Sequence, residues 1–106
     1  MENSPVRHVL VVRFSPAMTT SQFDQFINAF RDLTHKIDGI LSFEYGENIS
    51  SEGLNQDMTH AIILTFVNAA ARDAYLPHPA HKQFGELLRE LGIVEALLVI
   101  DYIPQQ

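Results

Sequence analysis

Tyr75-Leu76-Pro77-His78-Pro79-Ala80-His81 puts a hydroxyl, two prolines and two imidazoles within seven residues. An imidazole titrates near neutral pH and serves as general acid or base. A tyrosine hydroxyl can donate to an oxygen that gains charge during a reaction. If Pro79 opens a helix, His78 stands immediately before it, and His81 projects from the first turn at the three-residue spacing that keeps side chains on one face. Two readings of the segment then stand side by side. In one, His81 faces inward and takes a proton from a bound substrate, with Tyr75 as its hydroxyl partner. In the other, Pro77 stops one helix, Pro79 starts the next, and the histidines solvate the junction.

His8 and His60 are the other imidazoles of interest, each near the start of an apolar, β-branched segment. With those two strands side by side and running in the same direction, the rings would meet at one end of the sheet, in a pocket or in ordinary hydrogen bonds. His8, His60 and His81 together do not indicate a metal centre, because no carboxylate lies nearby and the spacing is irregular. Cysteine is absent, which excludes disulfides and thiolate nucleophiles. No glycine-rich loop follows a strand, so no nucleotide, flavin or nicotinamide cofactor is expected. Asp57 and Asp73 read as solvated charges, whereas Arg13 and Asp101 lie within strands and could pair across a sheet.

The elements that must hold these groups follow from periodicity. Val6 to Phe14 reads as a strand with His8, Leu10, Val12 and Phe14 on one face. Phe23, Phe26, Ile27, Phe30, Leu33 and Ile37 recur at helical spacing, predicting a helix from Thr20 to Lys36 with a possible capping box at Thr19 and Gln22. This aromatic stripe reads as core. His35 and Lys36 suit the helix C-terminus, and Gly39 suits the turn beyond it. Strands are expected over Ile40 to Asn48, with Leu41, Phe43 and Tyr45 on one face, and over Met58 to Val67, with His60, Ile62, Leu64 and Phe66 on one face. The polar stretch from Ile49 to Asp57 joins them as a loop. Helices from Asn68 to Leu76 and from Pro79 to Leu91 precede a last strand, Val94 to Ile103, in which Ala96, Leu98, Ile100 and Tyr102 alternate with Leu97, Val99, Asp101 and Ile103.

The order β-α-β-β-α-β points to an α+β domain, an antiparallel sheet with helices on one side. Its strands are apolar on both faces, so something must cover the second one. A two-fold partner presenting the same face is the simplest cover, which predicts a homodimer. The 106 residues fit one domain, 1–106, with its core in 6–104, and 46% hydrophobic residues argue against disorder. Thirteen acidic residues against seven basic give a net charge of -6, which disfavours a nucleic-acid backbone as partner. No apolar run approaches the roughly 20 residues of a membrane span, and no secretion signal is evident; a cytoplasmic protein without membrane contacts is expected.

Arg7-His8, Ile40 through Asn48, Thr59-His60-Ala61, Ala74 through His81 followed by Phe84, and Asp101-Tyr102 together resemble the stress-responsive α/β-barrel family, the dimeric α/β-barrel or Dabb domain. The resemblance runs from Arg7 to Pro104. It implies a ferredoxin-like monomer with a four-stranded antiparallel sheet that joins a partner in a dimeric α/β barrel, with a pocket between sheet and helices for a small hydrophobic or carbonyl-containing ligand. Many members have no assigned reaction, and some are associated only with stress or stability, a purely structural role. A few plant members similar to this pattern are polyketide cyclases that use no organic cofactor. On that alignment His81 would be the general base, Tyr75 the hydroxyl partner, and His8, His60 and His78 would line or support the pocket. The loop from Ile49 to Met58 and most cavity-shaping side chains depart from the cyclase pattern. The wider fold also hosts cofactor-free monooxygenases.

Overall fold

A computed structural model describes residues 3–106. Its elements are β1 (Val6–Phe14), α1 (Thr20–Lys36), β2 (Ile40–Glu47), β3 (His60–Phe66), α2 (Ala69–Tyr75), α3 (Pro79–Leu91) and β4 (Val94–Tyr102). The four strands form one antiparallel sheet in the order β2-β3-β1-β4. This is the ferredoxin-like α+β arrangement, with three helices on one face.

Local chemistry sets each helix boundary. Thr19 Oγ1 accepts from the Gln22 amide at 3.1 Å while Gln22 Oε1 accepts from the Thr19 amide at 2.9 Å, a closed capping box. Asn68 Oδ1 caps α2 by accepting from the Ala71 amide at 2.9 Å. Pro79 occupies the first turn of α3, and Gly92 ends it in the left-handed conformation.

The core lies between sheet and helices. Val12, Phe14, Ile62, Leu64 and Phe66 from the sheet meet Phe26, Ile27, Phe30, Leu33, Tyr75 and Phe84 from the helices, all buried. Phe30 stacks against Phe84 at 4.7 Å, Phe43 at 5.3 Å and Phe26 at 5.7 Å between ring centres. Such ring pairs contribute about 0.5–1.5 kcal/mol beyond their buried area. On the other face Leu98 and Ile100 are 51% and 59% exposed, with Val9, Val11 and Ile63 half-buried beside them.

Two expectations from the sequence need correction. β1 and β3 run antiparallel, not in the same direction, because β3 lies between β1 and β2 and follows β2 directly. The register therefore pairs His60 with Val12 and His8 with Leu64. The two imidazoles share the helix-side face but are four positions apart, roughly 13 Å at about 3.3 Å per residue. They do not meet. In β2, a bulge between Ile40 and Ser42 removes Leu41 from the alternation: Ile40 pairs with Phe66 and packs on the core, while Leu41 is 62% exposed.

Gly39 fixes how closely α2 approaches the sheet. It sits at φ +92°, and a Cβ there would lie 2.6 Å from Ala71 Cβ, while its carbonyl accepts from the Val67 amide at 2.8 Å. Any side chain would be strained in backbone and would push on α2, which carries Arg72 and Tyr75. Gly39→Ala should destabilise the fold by about 2–4 kcal/mol, measurable by urea unfolding; a change below about 0.5 kcal/mol would show that α2 is not held by this contact.

Candidate functional site

Tyr75 ends α2, and the three-residue connection Leu76-Pro77-His78 brings the start of α3 back over its ring. The His78 amide donates to the Tyr75 carbonyl at 3.1 Å, closing that turn. The His81 ring consequently lies 4.5 Å from the Tyr75 ring. His8, on the helix-side face of β1, meets the Tyr75 ring edge at 5.8 Å, and Phe66 lies 5.1 Å from Tyr75 and 5.9 Å from His8. Tyr75 is 1% exposed and His8 6%.

Hydrogen bonds define the protonation pattern of these rings. His81 Nδ1 lies 3.2 Å from the Leu76 carbonyl oxygen. A carbonyl only accepts, so the ring carries its proton on Nδ1, and in the neutral form Nε2 is a lone-pair acceptor. Burial lowers the His81 pKa from 6.5, and nearby His8 lowers it further, against a smaller upward pull from the Leu76 carbonyl than that of burial. Neutral His81 is thus the prevailing form near pH 7. Burial pushes the Tyr75 hydroxyl up from 10, which keeps it a donor across the physiological range.

His8 is held from its other side. Its Nδ1 donates to Asp101 Oδ1 at 2.7 Å, and Arg72 Nη1 donates to Asp101 Oδ2 at 2.7 Å. Arg72 Nε also donates to Asp73 Oδ1 at 2.9 Å. Bonds to an ionised carboxylate are shorter and stronger than their neutral counterparts. Asp101 faces His8 because β1 and β4 pair in the register His8↔Asp101.

The other two candidate histidines, His60 and His78, stand apart. His78 is the N-cap of α3, its Nδ1 accepting from the Ala80 amide at 3.0 Å, so for this residue the junction reading describes the geometry. His60 lies among Phe14 at 4.9 Å and Phe23 at 5.2 Å. Its Nδ1 bonds Thr59 Oγ1 at 2.8 Å; that hydroxyl donates to the Val12 carbonyl at 3.2 Å, so the imidazole is the donor. Among the described residues no group of three His, Asp or Glu is disposed to hold a metal ion. A cavity of about 600 Å³ lies on the uncovered face, floored by Val11, Ala61, Ile63 and Leu98 and walled by Leu54 and Met58 of the β2–β3 loop. It and the Tyr75–His81 cluster occupy opposite sides of the sheet.

The sequence does not single out Arg72, and it offers Arg13 and Asp101 only as strand charges that could pair across the sheet. The structure pairs Arg13 with Glu95 at 3.6 Å and gives Asp101 to His8 and Arg72. The three-residue spacing of Arg72 and Tyr75, which puts them on one helix face, was the available signal.

Residues 6–104 match the model of the stress responsive A/B barrel domain. The chain belongs to the stress responsive A/B barrel domain family. It is 34% identical over 100 residues to a stress-response A/B barrel domain-containing protein of Arabidopsis thaliana, covering 94% of this chain and 90% of that protein. Olivetolic acid cyclase of Cannabis sativa is 28% identical over 101 residues, covering 95% and 98%. A crystal structure from Arabidopsis thaliana superposes with a TM-score of 0.88 at 33% identity, over 95% of this chain and 96% of that one. More distant members of the fold include a Bacteroides fragilis protein described as dimeric, with a TM-score of 0.68 at 23% identity over 94% and 96%. The A/B barrel domain here thus has relatives with and without a named reaction.

Burial lowers the pKa of both His60 and His81, in His60 against an upward pull from Glu47. A histidine with a depressed folded pKa binds fewer protons in the folded than in the unfolded chain, so the stability it supports is present above pH 6.5 and is lost as pH falls below it. The melting temperature should fall from pH 7 to pH 5, and His60→Phe should shallow that fall. An unchanged slope in His60→Phe would show that His60 does not contribute to it.

Proposed function

We propose that this chain is a homodimeric, cofactor-independent acid–base protein whose His8–Tyr75–His81 cluster acts on a small carbonyl compound. The observation that carries the reading is the His81 ring, tied through Nδ1 to the Leu76 carbonyl and held 4.5 Å from the Tyr75 ring. In the proposed step His81 Nε2 removes a proton from carbon next to the carbonyl. The C–H bond breaks and an N–H bond forms. The electron pair passes through the new carbon–carbon double bond to the carbonyl oxygen, where Tyr75 donates a hydrogen bond to the developing negative charge. Return of the proton completes an exchange; attack of the enolate on a second carbonyl of the same molecule would instead close a ring. Ring closure is the class of activity in the name of the Cannabis sativa relative, and the family membership supports this reading without specifying a substrate.

Deuterium uptake at the α-carbon of ethyl 2-methylacetoacetate in D₂O, with buffer exchange subtracted, tests the step. His81→Ala should lower the protein-dependent rate by about 100-fold or more, and Tyr75→Phe by about 10-fold to 1,000-fold. Wild-type protein with no effect on exchange, or full activity in His81→Ala, would remove His81 as the base.

The homodimer reading rests on the uncovered sheet face, where Leu98, Ile100 and Tyr102 are exposed beside Val9, Val11 and Ile63. Pairing two such faces about a two-fold axis removes both from water and closes the 600 Å³ cavity from outside. Native mass spectrometry should give a dimer for the wild type and a monomer for Leu98→Asp. A wild-type monomer at micromolar concentration would contradict this.

A further inference from the structure

Asp101 makes two short bonds in opposite directions, and the second has no function in the proton transfer described above. Its Oδ1 accepts from His8 Nδ1 and its Oδ2 from Arg72 Nη1, each at 2.7 Å. The side chains become more buried along the chain of contacts, from 28% exposed for Arg72 to 24% for Asp101 and 8% for His8. Asp101 lies on β4, at the edge of the sheet and one residue before the strand ends at Tyr102, and Leu97 and Val99 on the same strand remain about half exposed. Without a second anchor a carboxylate there is free to rotate toward water.

We propose that Arg72 is a positioning residue that acts through Asp101 to fix His8 in its Nδ1-protonated tautomer, making His8 Nε2 a second lone-pair acceptor beside the Tyr75 hydroxyl and His81. The inference rests on the acid–base reading of the cluster and adds two residues to it. Three features of the geometry carry it. The carboxylate is divided, one oxygen to each neighbour, so Arg72 can hold it without displacing His8. The guanidinium is itself braced by Asp73 through Nε, which leaves Nη1 directed at Asp101. Arg72 and Tyr75 share one face of α2, so the helix that supplies the hydroxyl donor also supplies the brace for the imidazole next to it. An outer carboxylate that selects the tautomer of an imidazole is a general device in acid–base and metal sites, and disrupting such a partner typically costs about 10-fold to 100-fold in function.

The test reads the tautomer directly. Long-range proton–nitrogen correlation spectra of ¹⁵N-labelled protein at pH 8 distinguish Nδ1–H from Nε2–H in each neutral histidine. Wild-type His8 should be the Nδ1–H form. Asp101→Asn, whose amide can donate to Nδ1, should shift His8 to the Nε2–H form. Arg72→Met should give a mixture of the two, and Arg72→Lys should restore the wild-type pattern at least in part. The signals of His60 and His78, which lie outside the cluster, report whether each variant remains folded. In ethyl 2-methylacetoacetate exchange, Arg72→Met should lose about 10-fold or more, with recovery in Arg72→Lys. A folded Arg72→Met or Asp101→Asn variant with an unchanged His8 tautomer overturns the proposal. If wild-type protein shows no exchange activity, the acid–base reading fails, while the tautomer spectra still decide whether Arg72 and Asp101 hold His8.

Discussion

Antiparallel pairing of β1 with both of its neighbours decides which polar side chains can meet in this protein. Against β4 it sets His8 opposite Asp101; against β3 it sets His60 opposite Val12 and far from His8. A backbone register is held by a ladder of hydrogen bonds and by the alternation of buried and exposed side chains, so a slip of one residue would turn His8 to the other face. The cluster of His8, Tyr75 and His81 inherits its positions from that register on one side and from the α2–α3 turn on the other.

The aromatic core makes the second side equally definite. Phe66 on β3 contacts both Tyr75 and His8, while Phe26, Phe30 and Phe84 tie α1 to α3. The α3 helix thus cannot tilt to move His81 without unstacking rings in a close-packed interior. At its N-terminus, His78 satisfies the Ala80 amide, an otherwise free donor of the first turn, so the two histidines of the motif have separate tasks: one ends the loop and the other faces Tyr75.

The periodicities of the sequence located every strand and helix to within about two residues, because amphipathic repeats, caps and prolines are local signals. The stripe from Phe23 to Ile37 and the Pro77–Pro79 junction were plain on that basis. What periodicity does not carry is the direction of one strand against another, and the misjudged direction of β1 against β3 brought His60 to the wrong end. The Leu41 bulge was hidden for a related reason: strict alternation has no mark for an extra residue. Asp101 was recognised as a strand residue with a possible partner, but its actual partners come from the His8 register and from Arg72 on a helix, neither of which a single strand discloses. The family resemblance rests on dispersed segments taken together, Arg7-His8, Ile40 through Asn48, Thr59-His60-Ala61, Ala74 through His81 with Phe84, and Asp101-Tyr102, and the family assignment agrees with it.

A neutral imidazole at His81 is the central requirement of the proposed chemistry, and the pH dependence of deuterium exchange tests it most directly. Burial lowers the His81 pKa from 6.5, and Tyr75 is held protonated. The protein-dependent rate should therefore rise with pH through a midpoint below 6.5 and then remain level to pH 9. A midpoint above 7, or a rate that continues to climb in proportion to hydroxide, would contradict His81 as the base.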